Sequence, residues 1–264
     1  MKNSINIGSE YFENQMQDAG WMVFESIVDI GLIEQMRLDI KRAYERCREI
    51  QIANKIPENN AYTVHHLIGQ EKSFIEYLQS TPIHKYVEKY FSGPFILNSF
   101  GGAINSANNS SYAHNIHRDI RSFSGSDNLM LNTLVMLDDF TVDNGATWML
   151  SGSHKIAGKP TQPEFDNNAV QAVGKAGSIL LFNSNVWHAG GDNKTDKARR
   201  SITPMYSKPF MKQQFDYPRA IGYSNQDKLS DEMQQIIGFN SRTPETLEEW
   251  YQPPSNRMYK QGQG

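Results

Sequence analysis

Apolar residues recur at helical spacing before Pro94, and beyond it they gather into short β-type runs separated by turn residues. Ser9 to Asp18 predicts a short helix, broken by Gly20 and followed by the alternating strand-like run Trp21-Met22-Val23-Phe24. Asp29 is placed to cap a longer helix that carries Ile30, Ile33, Met36, Ile40, Tyr44 and Cys47 on one face. That period makes Cys47 an inert core thiol, since the helix face it shares offers no basic partner to form a thiolate. Residues 51–61 predict a loop, and weaker helical patterns cover 71–80 and 83–91, the second opening after Pro82. Runs at 95–100, 112–120, 129–137, 147–150, 170–173, 179–182 and 201–206 predict strands, and Asp143-Asn144-Gly145 predicts a hairpin turn. Residues 229–237 predict a final helix. Seven strands without helices between them argue for an antiparallel barrel or jelly roll.

Composition narrows the function. The 264 residues suit one large domain, and 13 Phe, 12 Tyr and 4 Trp supply ample area for a core. The expected organisation is a single domain over 1–264: a mainly helical flank (1–93), a jelly-roll core (94–206) and a C-terminal extension (207–264). A formal net charge of −3 gives no basic excess for nucleic acid or an anionic membrane, so neither is an expected partner. The single cysteine excludes a disulfide framework, a Cys-rich zinc site and an iron–sulfur cluster. No signal peptide or membrane helix is expected, and the location implied is cytoplasmic. Without a secretory route, the sequons at Asn108, Asn109 and Asn193 are expected to stay idle.

The sequence contains no G-x-G-x-x-G, Walker A, H-E-x-x-H or G-x-S-x-G motif, which speaks against four common enzyme classes. The informative fragment is His117-Arg118-Asp119. In a strand, residues i and i+2 share a face, so the His117 imidazole and the Asp119 carboxylate can converge. Two histidines and one carboxylate on one face of a metal form the triad of non-haem iron(II) oxygenases. His188, shortly after the apolar run 177–182, supplies a second imidazole, and Arg199 opens the strand-like RRSITPMY. A buried arginine there could clamp a dicarboxylate through two parallel hydrogen bonds. Along that strand Ser201 projects beside Arg199, while Arg200 points away.

HRD (117–119), DNGATWMLSGSHK (143–155), GSILLFNSNVWHAGGDN (177–193) and RRSIT (199–203) together resemble the phytanoyl-CoA dioxygenase family of iron(II)/2-oxoglutarate-dependent oxygenases. PFMKQQFDYPRA (209–220) and LSDEMQQIIGF (229–239) extend the likeness, while Ser151 replaces the proline usual before Gly-Ser-His. The resemblance implies a mainly β fold with flanking helices, a double-stranded β-helix (jelly roll, cupin-like). It implies Fe(II), 2-oxoglutarate as cosubstrate and O2, with succinate and CO2 released as a small-molecule substrate is hydroxylated. It matches His117, Asp119 and His188 to the iron ligands and Arg199 to the residue holding the distal 2-oxoglutarate carboxylate, with Arg200 the adjacent alternative. Asn132 is either an inward amide near the cosubstrate or an ordinary strand asparagine. The carboxylate at Asp119 disfavours halogenation; desaturation, epimerisation or ring closure would use the same ligands. The alternative from another class is a non-oxidative jelly-roll metal protein, an isomerase or a binding module.

Plainer roles are expected elsewhere. His65, His66 and His84 are read as solvated or packing residues, and His114 as facing away from His117. His154 is expected to make a structural hydrogen bond, Trp148 and Trp187 to pack, and Asp138-Asp139 to form a solvated strand end. Pocket walls are expected from 51–66, 103–116 and 158–168; Asn105, Tyr112 and Arg121 are conceivable contacts, each expected to be structural or exposed.

Overall fold

The computed structural model describes residues 7–56, 62–107 and 112–263. Among the described residues nine strands form two antiparallel sheets: β1 (Trp21–Phe24), β2 (Thr63–Val64), β3 (Ile96–Asn105), β4 (Met130–Met136), β5 (Thr147–Met149), β6 (Val170–Ala172), β7 (Ile179–Asn183), β8 (His188–Ala189) and β9 (Arg199–Ser207). The main sheet runs β1-β7-β4-β9-β3-β2, and a smaller one runs β6-β5-β8. This is the expected jelly roll, mainly β with flanking helices. Its two edge strands, β1 and β2, come from the helical first third of the chain.

Every residue of β4 and β7 is buried, because both faces of the main sheet are covered. Strand alternation sorts them: Leu131, Val135, Ile179 and Leu181 join the core under the helices, while Leu134, Met136, Leu180 and Phe182 face the smaller sheet. The covering helices include α1 (Ser9–Asp18), α2 (Ile30–Ala53), α3 (Lys72–Ser80) and α4 (His84–Phe91). Asp29 caps α2 as expected, its carboxylate accepting from Leu32 N at 3.1 Å. Ile33, Met36, Ile40 and Ala43 form the buried face, whereas Ile30, in the first turn, is 56% exposed. Cys47 is half-buried at the rim of the core. Gly102 of β3 lets α2 approach: a Cβ there would stand 2.9 Å from Ile40 Cδ1 and 2.8 Å from the Ser201 carbonyl oxygen.

Several local expectations change. Residues 112–120 form no strand; Tyr112–His114 is a 3-10 turn, and His117 alone makes a β-bridge, to His188. Asp143-Asn144-Gly145 does turn the chain, with Gly145 at φ +78, but β4 and β5 on either side belong to different sheets. The turn therefore carries the chain between layers and closes no hairpin. A Cβ on Gly145 would come within 2.2 Å of the Gly191 carbonyl oxygen, so the turn packs against the backbone just past His188. α2 continues to Ala53, into the expected loop, of which residues 57–61 lie outside the described residues. The helix expected at 229–237 spans Asp231–Ile237, and a one-turn helix at Leu247–Trp250 follows it. The Asp138-Asp139 pair divides: Asp138 is an anchor, taking a two-pronged ion pair from Arg200 at 2.8 Å, while Asp139 stays at the solvated end and pairs with the exposed Lys175 at 2.8 Å. Among the described residues, no helix is long and apolar enough to cross a membrane. The Asn193 sequon is closed by packing, since its buried side chain donates to the Asn105 and Lys197 carbonyls; Asn108 and Asn109 lie outside the described residues.

His84 is buried, and its Nε2 lies 3.1 Å from the Tyr206 hydroxyl. Burial pushes its pKa down to about 4, and Glu232, 3.7 Å away but well exposed, does little to offset this. The unfolded chain takes up this proton first, so its contribution to stability is present above about pH 6.5 and lost as pH falls towards 4. His84→Gln should remove on the order of 2–3 kcal/mol of the acid-induced loss of stability. Urea unfolding at pH 7 and pH 4.5 reads this, and equal pH slopes in the two proteins would refute it.

Candidate active site

The site is built on one cross-strand pair. His117 N donates to the His188 carbonyl at 3.0 Å, and His188 N donates back to the His117 carbonyl at 2.9 Å. Such a mutually bonded antiparallel pair places both side chains on one face, and the two imidazole centroids are 4.2 Å apart. Asp119, two residues on, keeps that face: its Oδ1 lies 3.5 Å from His117 Nε2 and its Oδ2 3.6 Å from His188 Nε2. One ligand atom from each of the three side chains lies within 4.8 Å of the others.

The surroundings set the orientation of all three. His117 Nδ1 donates to the Asn115 carbonyl at 2.7 Å, and His188 Nδ1 to the Val186 carbonyl at 3.0 Å. With Nδ1 protonated, each Nε2 presents a lone pair towards the shared space. Burial drives the His188 pKa down to about 4, although Asp119 opposes this, so that imidazole is neutral at ordinary pH. Asn132 of β4 donates its amide to Asp119 Oδ2 and accepts from Ser184 Oγ at 2.5 Å. The Ser184 carbonyl in turn accepts from Asp119 N and Ile120 N, both at 3.2 Å. Asn132 thus joins the two segments that carry the ligand set. Arg118, between the two ligand positions, points out and clasps the Ile156 and Ala157 carbonyls while its guanidinium stacks 4.1 Å from the Trp187 ring.

A chamber of about 310 Å³ opens over the triad, floored by β3, β4 and β9. Arg199 lies in its wall, 5% exposed, with its guanidinium 4.1 Å from the Phe140 ring centroid. Its Nε has no hydrogen-bond partner, and it has no ion-pair partner among the described residues. Burial lowers its pKa to about 10, against a counter-pull from Asp138, so it stays charged at neutral pH. Ser201 projects into the chamber beside it, and Arg200 turns outward to Asp138, the alternation expected of this strand. The structure brings the six predicted site residues His117, Asp119, His188, Arg199, Ser201 and Asn132 to one chamber.

The phytanoyl-CoA dioxygenase (PhyH) family model matches residues 16–201. The chain belongs to the phytanoyl-CoA dioxygenase family. It is a 2-oxoglutarate-dependent non-haem iron dioxygenase, with Fe(II), 2-oxoglutarate and O2 as its cofactor set. An uncharacterised protein of Mycobacterium tuberculosis is 30% identical over 261 residues, covering 95% of this chain and 96% of its own. Dioxygenase sphC of Aspergillus fumigatus is 26% identical over 254 residues, covering 86% of this chain and 67% of its own. Among solved structures, EctD from S. alaskensis with 2-oxoglutarate and 5-hydroxyectoine superposes with a TM-score of 0.63 at 15% identity, over 78% of each chain. The carbocyclase SnoK from nogalamycin biosynthesis gives 0.59 at 15% identity, over 76% of this chain and 84% of its own. At such identities these two likenesses speak for the fold.

Other expectations divide. His154 makes its structural hydrogen bond, to the Gln17 carbonyl at 3.2 Å, and Asn105 binds the Gly191 carbonyl at 2.9 Å. His114 lies outside the chamber lining, held there by the 3-10 turn and not by strand alternation. Arg121 is exposed, and the Tyr112 side chain lies outside the described residues. Residues 158–168 do not line the chamber; they form the helix Gln162–Asn168 and its approach. Two contributors went unpredicted, Ser184 and Phe140, while His65, read singly as a solvated or packing residue, lines the chamber from within the expected wall segment 51–66. Ser184 falls within the stretch 177–193 without standing out in it and Phe140 lies in no motif, and their partners are 52 and 59 residues away in the chain.

Asn132→Ala leaves Asp119 without its amide donor. Iron affinity should fall roughly 10- to 100-fold with the fold intact. Metal titration followed by circular dichroism checks this, and undiminished iron affinity would remove Asn132 from the role.

Proposed function

We propose that His117 Nε2, His188 Nε2 and the Asp119 carboxylate hold Fe(II), that Arg199 binds the distal carboxylate of 2-oxoglutarate with Ser201 beside it, and that the enzyme hydroxylates a small-molecule metabolite or biosynthetic intermediate, releasing succinate and CO2. The observation that carries this reading is the buried, unpaired Arg199 in the same chamber as the triad. A buried cation without a counter-ion is costly, and an anionic cosubstrate removes that cost. The donor set fits the metal: two imidazoles whose Nδ1 atoms face backbone carbonyls and whose Nε2 atoms turn inward, one carboxylate, and room for further ligands.

Bound iron, with 2-oxoglutarate and O2, supplies the oxidising chemistry. The chain supplies charge and position. Asp119 places a negative charge beside the cation, and Asn132 holds that carboxylate between the two imidazoles. Phe140 stacks on Arg199 and keeps its guanidinium in the chamber wall. Leu134, Phe182 and Met205 line the chamber with apolar surface that excludes water from the reacting groups. Desaturation, epimerisation or ring closure would use the same residues. A non-oxidative metal protein has no need of Arg199, which counts against that alternative. The reading takes residues 1–264 as one catalytic domain and places it in the cytoplasm, on the strength of its single cysteine.

Purified protein given Fe(II), 2-oxoglutarate, O2 and a small-molecule library should release succinate with matching compounds. His117→Ala should lower bound iron to background, and unchanged iron content would overturn the ligand assignment. Arg199→Met should retain iron yet raise the KM for 2-oxoglutarate roughly 10- to 100-fold, the cost of losing a charge-assisted pair. An unmoved KM would remove Arg199 from the cosubstrate site.

A further inference from the structure

The chamber is small for its task. At about 310 Å³ it sits at the lower end of the roughly 300–1,000 Å³ typical of ligand pockets, yet it must take a cosubstrate as well as a substrate. A second, larger cavity of about 640 Å³ lies in the C-terminal extension. The two adjoin at two points. Gln214 lines both. His65 lines the chamber, and its neighbour His66 stacks on Phe215 of the second cavity, with ring centroids 4.4 Å apart and planes 15° apart. His66 adopts φ +56, a left-handed backbone costly for a residue with a Cβ. The buried Tyr217 hydroxyl, 3.2 Å from His66 Nδ1, helps to hold it there.

The groove is built for flat surfaces. Phe210, Phe215, Tyr223 and Tyr259 line it with 55%, 39%, 41% and 37% of their areas exposed. Exposed rings concentrated along one channel mark a recognition surface. Its unspent polar groups are mainly donors. Arg242 stacks on Tyr223, 3.6 Å from the ring centroid, and neither it nor Lys212 has an ion-pair partner among the described residues. Asp216 also lines the groove, but its carboxylate is engaged in capping the next helix through Arg219 N. Glu245 is the remaining acidic lining residue. Guanidinium and ammonium groups only donate hydrogen bonds, so their partner is an acceptor.

We propose that the substrate is longer than the reaction chamber, and that its remote end, a flat ring system bearing carbonyl or anionic acceptors, lies in the groove between Phe215 and Arg242. This rests on the dioxygenase reading for the reacting end and names the class of molecule that site takes. A substrate anchored so far from the reacting carbon is oriented by that remote contact.

The probe is 1-anilinonaphthalene-8-sulfonate, a flat aromatic anion, titrated into the iron-loaded full chain. It should bind saturably, and Arg242→Ala and Phe215→Ala should each raise its dissociation constant about fivefold or more, with circular dichroism unchanged. The best succinate-releasing compound should displace the dye from the wild-type protein, and Arg242→Ala should raise its KM while the KM for 2-oxoglutarate stays put. Dye binding indifferent to both substitutions would overturn the proposal, as would a substrate that leaves the dye in place. A dimer that Arg242→Ala splits into monomers would give the groove to a second copy of the chain and overturn it equally. If no compound releases succinate while the dye still senses both substitutions, the reaction assignment fails and the groove assignment stands.

Discussion

The reciprocal backbone pair between His117 and His188 is the constraint on which the rest of the site depends. It is a single rung, with irregular chain on the His117 side, yet it places two imidazoles on one face at one height. Asp119, two residues on in a bend, is brought to them by its backbone bond to the Ser184 carbonyl and by the Asn132 amide. Because the rung is backbone, it tolerates the close approach of three polar side chains that a side-chain network alone would have to hold against their own desolvation.

Around that rung the two faces of the main sheet divide the work. The helix-covered face is a conventional apolar core in which α2 lies tight against β3 over Gly102. The other face carries alternating apolar residues at its centre and, on β9, the polar series Arg199, Ser201 and Thr203. The same alternation sends Arg200 to Asp138 on the far side. One strand thus supplies a structural ion pair at Arg200 and an unpaired chamber cation at Arg199, on opposite faces.

Much of this was legible in the chain. The helix over Ser9–Asp18, the Asp29 cap and most strands follow from period and turn residues, since each is decided within a few residues of itself. The ligand candidates were legible because His117 and Asp119 are neighbours and His188 follows a strongly apolar strand. What failed was local in appearance and tertiary in cause. Residues 112–120 read as a strand, but the chain there meets the smaller sheet only at His117. The turn at Asp143-Asn144-Gly145 has hairpin chemistry and connects two layers instead, because Gly145 packs against Gly191 far along the chain.

The sequence by itself determined most of the elements, the fold class and the chemical kinds of residue at the site, because hydrophobic period, capping residues and strand alternation act over a few residues. Only the tertiary structure decided which side chains hold which. It paired Asn132 with Asp119 and Ser184, set Phe140 under Arg199, made Asp138 an anchor, and joined the chamber to an aromatic groove through His65 and His66. Those contacts link residues from 13 to more than 100 positions apart, and no short window of sequence contains both partners.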